Sequence, residues 1–165
     1  MGGRYRDSFF FVLVFLLILY LRPKRLVAFS KAKRLLGIKE YPGSVHNQKI
    51  LKFFREIGQP GLTTDETSWC AAFVNYILKR SGAKYIKSAL ARDLLKLPGA
   101  VSTPKPGDVL IFWRTSPSSI YGHTGFYAGQ TGSYYKVLGG NQTDSVSYLN
   151  VPKNRLLGIR RPKRR

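Results

Sequence analysis

The sequence predicts an α+β domain in which the helices come first and an antiparallel sheet follows. Two observations carry this. Between residues 46 and 97 the apolar side chains recur three and four positions apart, the repeat of a helix with one buried face. From Val109 onward the apolar segments become short and are separated by Gly-rich turns, as strands are. A third observation bounds the size. A chain of 165 residues, 44% hydrophobic and 13% aromatic, holds one core with a short extension at each end and is not a disordered polymer.

Taken in order, residues 9–21 read FFFVLVFLLILYL, thirteen positions without a charge. A relaxed membrane span needs about twenty. The run fits a short anchor whose flanking cations snorkel, or the core of a signal peptide. Arg22, Lys24 and Arg25 follow it directly, which favours an uncleaved single-pass anchor, an N-terminal hydrophobic helix ahead of the domain. The excess of cations on its C-terminal side would keep the rest of the chain in the cytoplasm, whereas a function at the cell envelope requires the opposite. Residues 22–43 read as a basic linker ending at Tyr41-Pro42-Gly43.

His46 to Ile57 places Ile50, Phe53, Phe54 and Ile57 on one helical face, and Gly58 to Gly61 stops it. Trp69 to Arg80 repeats the pattern with Cys70, Phe73, Val74, Ile77 and Leu78; Asp65, Thr67 and Ser68 are available to cap it. Ser88 to Leu97 is a third helix candidate, closed by Pro98-Gly99. Strands are expected at 109–113, 123–128, 134–138, 146–149 and 156–160. The organisation is therefore an anchor and linker over 1–34, a domain over 35–160, and a basic tail over 161–165 expected to be disordered.

One cysteine excludes an internal disulfide, and with two histidines it leaves no metal site of the usual Cys/His kind, so none is expected. That cysteine, Cys70, falls at the start of a helix, where free N–H groups and the helix dipole favour a thiolate. A free cysteine is more often a small buried hydrophobe, and Cys70 shares its stripe with Phe73 and Val74. His123, in Gly122-His123-Thr124-Gly125, supplies what a thiolate nucleophile needs, a base that holds an imidazolium near neutral pH. Asn141, in Gly139-Gly140-Asn141-Gln142, can orient the ring through its amide oxygen, and Gln142 offers the same groups. Trp69 and Tyr121 flank the two central residues and are candidates, with Gln142, for substrate contact. His46 precedes a helix and reads as structural.

The ordered set Trp69-Cys70-Ala71-Ala72-Phe73-Val74-Asn75, Pro106-Gly107-Asp108-Val109, Gly122-His123-Thr124-Gly125-Phe126 and Leu138-Gly139-Gly140-Asn141-Gln142 resembles the CHAP-type family. These are cysteine- and histidine-dependent amidases and peptidases related to the NlpC-like, papain-fold wall hydrolases, and the likeness is to their short phage and bacterial forms. The resemblance covers about 35–160. It implies a papain-like fold, Cys70 as nucleophile, His123 as base, Asn141 as the third group, no cofactor, and peptidoglycan as substrate. Some members carry an acidic residue two positions before Asn141, where this chain has Gly139.

The net charge is +20, and residues 1–39 (+8) and 153–165 (+7) hold most of it. The basic ends suit anionic lipid or an anionic wall polymer. No nucleic-acid motif accompanies them, so nucleic acid is disfavoured. The expected protein is thus a membrane-tethered or secreted peptidoglycan hydrolase, a lysin or a remodelling enzyme, with a non-catalytic wall- or membrane-binding module on the same fold as the alternative.

Overall fold

The computed structural model describes residues 21–165 together with residues 10, 12 and 14. Apart from residues 10, 12, 14 and 21, the candidate anchor over 9–21 lies outside the described residues. Among those described, no helix is long and apolar enough to cross a membrane.

Over residues 22–165, three α-helices, two short 3₁₀ turns and five strands make an α+β domain. Helix α1 spans Lys24–Lys33, α2 Gln48–Glu56 and α3 Cys70–Arg80. The strands are β1 Val109–Trp113, β2 Gly122–Thr131, β3 Tyr134–Gly139, β4 Ser147–Pro152 and β5 Leu156–Arg160. The sheet is antiparallel throughout its pairings, in the order β4-β3-β2-β1-β5.

Helix α2 starts where Asn47 accepts from the Lys49 N–H at 2.9 Å, and it ends before Gly58, whose φ is +86°. It buries Ile50, Leu51, Phe53 and Phe54. Helix α3 is buried almost all round, with eight of its eleven residues inside. Such a helix is the centre of a domain, not its surface. Phe53 meets Trp69 and Phe73, and Phe73 meets Phe126 of the sheet, in tilted and edge contacts with centroids 5.7–6.3 Å apart.

Strand alternation divides the sheet. Val109, Ile111, Phe126 and Leu138 lie under the helices in the main core. Leu110, Phe112, Tyr127, Val137, Val151 and Ile159 form a second, smaller core on the other face.

Three segments differ from the sequence reading. The stretch read as a linker holds α1, which packs Ala28 and Ala32, both fully buried, into the main core. Two alanines four apart make a stripe too narrow to stand out among basic residues. Arg25 Nη1 donates to the Pro106 carbonyl at 2.8 Å, and a Cβ on Gly107 would lie 2.2 Å from the Arg25 carbonyl oxygen, so the helix seats on that turn only because residue 107 is glycine. The third helix candidate is a 3₁₀ turn over Ala91–Lys96. Ala91 and Leu94, with Leu97 just past its end, are the buried positions, a spacing of three and not 3.6.

The basic tail is ordered. Arg161 grips the buried Asp108 carboxylate with Nε at 3.1 Å and Nη2 at 2.7 Å. That pairing raises the Arg161 pKa. The Lys84 N–H then donates to the Lys163 carbonyl at 2.9 Å and the Arg165 N–H to the Gly82 carbonyl at 3.2 Å. A bidentate ion pair with a buried carboxylate is a strong anchor for a short tail.

Candidate active site

Cys70 is the first residue of α3 and is 1% exposed. No side chain caps this helix: Trp69 occupies the cap position without a capping bond. Asp65, a cap candidate in the sequence, is used elsewhere. Its buried carboxylate accepts from the Tyr41 N–H (3.0 Å), the Asn47 N–H (2.8 Å) and His46 Nδ1 (2.8 Å). Burial pushes the Asp65 pKa up, but these donors outweigh it and leave the group below the ordinary carboxylate value. His46 is thereby structural, and the N–H groups at the start of α3 are left without a side-chain partner.

His123 comes from β2, where it lies opposite Phe112 of β1, and is 6% exposed. Its Nε2 lies 2.9 Å from Gln142 Oε1. Which ring nitrogen carries the proton follows from the far side of that amide. Gln142 Nε2 donates to the carbonyls of Val137 and Ser147. The carboxamide is thus fixed with its oxygen on the ring, and an oxygen only accepts, so Nε2 of His123 carries the hydrogen. Nδ1 is then the basic nitrogen of the neutral ring. It is buried and has no hydrogen-bond partner among the described residues.

Nδ1 makes no hydrogen bond within the described residues, yet His123 is close enough to Cys70 to act on its thiol. Burial, the largest influence, pushes the Cys70 pKa up. Hydrogen bonding to and the charge of His123 pull it down, followed by the Arg114 charge and the Ser68 hydroxyl, which lies 3.9 Å from Sγ. The result lies below the ordinary thiol value.

The structure brings Cys70, His123 and Gln142 together. Asn141, expected from the sequence as the third group, is half-buried at φ +53°, and it is Gln142 that makes the bond to the ring. Gly139 makes room for this. A Cβ there would stand 2.9 Å from Gln142 Oε1, so the carboxamide occupies the space a side chain at 139 would need.

Trp69, a candidate for substrate contact in the sequence, is fully buried. Its indole N–H donates to Glu40 Oε1 at 2.7 Å, and its ring lies against Gly140, where a Cβ would be 2.4 Å from Cζ3. It is a packing residue that locks the 139–145 loop onto α3. Gly140→Ala is expected to destabilise the domain by about 1–3 kcal/mol through overpacking, read as a lower urea midpoint at unchanged slope.

Tyr121 is 63% exposed beside Gly122, and only its backbone is bonded, to the Arg114 N–H and to Ser119 Oγ. Its side chain remains available to a ligand. Two contributors escaped the sequence reading. Arg114 is an exposed cation one residue past β1, and its only signal was its place opposite the strand that carries His123. Arg92 donates to the carbonyls of Pro117 and Ser119 and so holds the 114–121 loop beside the site.

Residues 62–141 match the CHAP domain family model. That match covers just under half of the chain and supports a CHAP-like family for it. The match contains Cys70 and His123 and stops one residue short of Gln142. Among solved structures, a Staphylococcus aureus protein described as similar to lipoprotein of the NLP/P60 family matches with a TM-score of 0.47 and 16% identity. The alignment covers 86% of this chain and 44% of that one, so this chain spans less than half of its length. None of the curated proteins matches the chain.

Proposed function

We propose that the chain is a cysteine-dependent amide hydrolase acting on peptidoglycan, cleaving either a peptide bond in its stems or bridges or the sugar–peptide amide. The observation that carries this reading is the relay Cys70–His123–Gln142, built at a helix start that no side chain caps.

The Cys70 thiol proton passes to His123 Nδ1, because Nε2 already carries the hydrogen held by Gln142. The thiolate attacks the amide carbon, a C–S bond forms, and the carbonyl π pair moves to oxygen. The Cys70 backbone N–H is placed to donate to that oxyanion. Imidazolium Nδ1–H protonates the amide nitrogen, the C–N bond breaks, and the amine leaves. Water then gives a proton to Nδ1 as it attacks the thioester, and the carboxylic acid and the thiolate separate. Gln142 acts through the ring, positioning it without touching substrate. Tyr121 supplies an apolar surface for the substrate beside His123. The basic ends hold the enzyme near anionic lipid or wall polymer, and residues 9–21 tether it to the membrane with the domain facing the envelope.

The test is digestion of purified peptidoglycan, with fragments identified by mass spectrometry. New amine and carboxyl ends are expected from the wild type, and Cys70→Ala should lose about 10,000-fold or more of that rate. Folded wild-type protein that labels slowly at the thiol and releases no fragments from several wall types would return the chain to the non-catalytic reading.

A further inference from the structure

Lys24, at the start of α1, and the C-terminal residues 163–165, far apart in the sequence, meet at one pole of the molecule. The meeting point is Gly82, at the end of α3. Lys24 Nζ, from the first turn of α1, would lie 3.3 Å from a Cβ on Gly82. The Arg165 N–H donates to the Gly82 carbonyl, the Lys84 N–H to the Lys163 carbonyl, and residues 83 and 164 form a bridge. The Arg165 guanidinium lies over the Tyr85 ring at 4.9 Å. Lys84, Lys87 and Arg165 line one open groove of about 310 Å³. Lys84, Lys87, Lys163, Arg164 and Arg165 are exposed. Burial first, and then repulsion from Arg164, lowers the Lys24 pKa, so the fold holds these cations together against their own repulsion.

The acidic side chains are paired or lie elsewhere. On this side of the molecule Glu56 is taken up by Lys79 and Arg80, and Asp108 by Arg161. Glu40, Asp65, Glu66 and Asp144 gather instead at the Cys70 end of α3, close enough for the other three to raise the Glu40 pKa after burial has done so. The two poles are separated by the length of α3, about 16 Å for eleven residues.

We propose that the Lys24–Lys84–Lys163–Arg165 pole is a docking surface for an anionic phospholipid bilayer, which it meets with Cys70 turned away. A broad, open cluster of cations suits a plane of phosphate headgroups. The apolar run 9–21 ends three residues before Lys24, which puts this pole, and not the catalytic one, next to any membrane the run enters. The surface deepens the lipid association given above and is independent of whether Cys70 cleaves an amide.

The test is flotation of the full chain with phosphatidylcholine vesicles and with vesicles containing roughly a quarter phosphatidylglycerol. The anionic vesicles are expected to bind roughly 10- to 100-fold more tightly, and rising salt should erase the difference. The triple variant K84E/K87E/K163E should bind both vesicles as the native chain binds the neutral ones. Binding to the neutral vesicles reports residues 9–21 separately. Thiol labelling of Cys70 should proceed on vesicles as it does in solution. Equal binding of the native chain to both vesicles overturns the proposal. So does a salt-insensitive preference, a measurement on the native chain that needs no variant to fold. A triple variant that melts as the native chain does and keeps the preference also overturns it, as does occlusion of Cys70 on docking. Displacement from the anionic vesicles by soluble polyphosphate at equal phosphate content would assign the pole to a soluble polyanion and overturn the lipid source.

Discussion

Replacing His123 with alanine is expected to abolish peptidoglycan cleavage and, separately, to silence the thiol at neutral pH. Cys70 sits under opposing influences. Burial favours the neutral thiol, and His123 supplies the first two influences against it, ahead of Arg114 and Ser68. Without the ring, burial prevails and the thiol pKa should rise above the ordinary value. The consequence is measurable without a substrate. In the native chain the alkylation rate plotted against pH should have its midpoint below that of an ordinary thiol, because a lowered pKa keeps the thiolate populated as the pH falls. In His123→Ala the midpoint should lie above it, and labelling at neutral pH should fall at least about 100-fold. Cleavage should fall further, by about 1,000-fold or more, because the same residue protonates the leaving amine. A native midpoint at or above the ordinary thiol value would remove the basis for Cys70 as nucleophile.

Gln142→Ala and Asn141→Ala are expected to part company. Gln142 is 2% exposed and fastened on three sides, so its amide oxygen has one orientation and His123 one tautomer. Alanine at 142 would let the ring take the other tautomer, with the proton on Nδ1, where it cannot accept from the thiol. The expected loss in kcat is at least about 100-fold, with little change in KM, and the alkylation midpoint should move up with it. Some stability goes too, about 1–3 kcal/mol for each buried group left unpaired. Asn141→Ala should leave kcat within about threefold. The reverse pattern would transfer the positioning role to Asn141.

The difference between these adjacent amides shows where sequence reading stops. Both follow Gly139-Gly140, and both carry the same groups. The choice rests on a loop in which Asn141, Thr143 and Asp144 all adopt left-handed φ near +53°, while Ser145 and Ser147 hydroxyls bond the Gln142 carbonyl. Runs of non-glycine residues in that region are uncommon, and nothing in their identities announces one. Trp69 was ambiguous for a related reason. An aromatic beside a nucleophile serves a groove or a core equally well, and only its contact with Gly140 and its bond to Glu40 place it in the core.

Helices α2 and α3 were legible because each writes its buried face into ten or so consecutive residues, and the strands because alternation and glycine turns are equally local. Cys70 and His123 could be singled out as candidates because few residue types perform the proposed chemistry. Helix α1 and the tail were not legible, since each is held by groups far away in the chain: Arg25 by Pro106, Arg161 by Asp108, and Lys163 by Lys84.

By itself the sequence determined the α+β class, the order of helices before sheet, and the candidates proposed as nucleophile and base, all of which depend on local periodicity or on a single side chain's chemistry. Tertiary structure alone decided that Gln142 meets the ring, that the tail is part of the domain, and that Lys24 shares one pole with the C-terminal residues. Those outcomes depend on loop dihedrals and on contacts across 50 residues or more, where closure of the whole chain, and no local propensity, selects the partner.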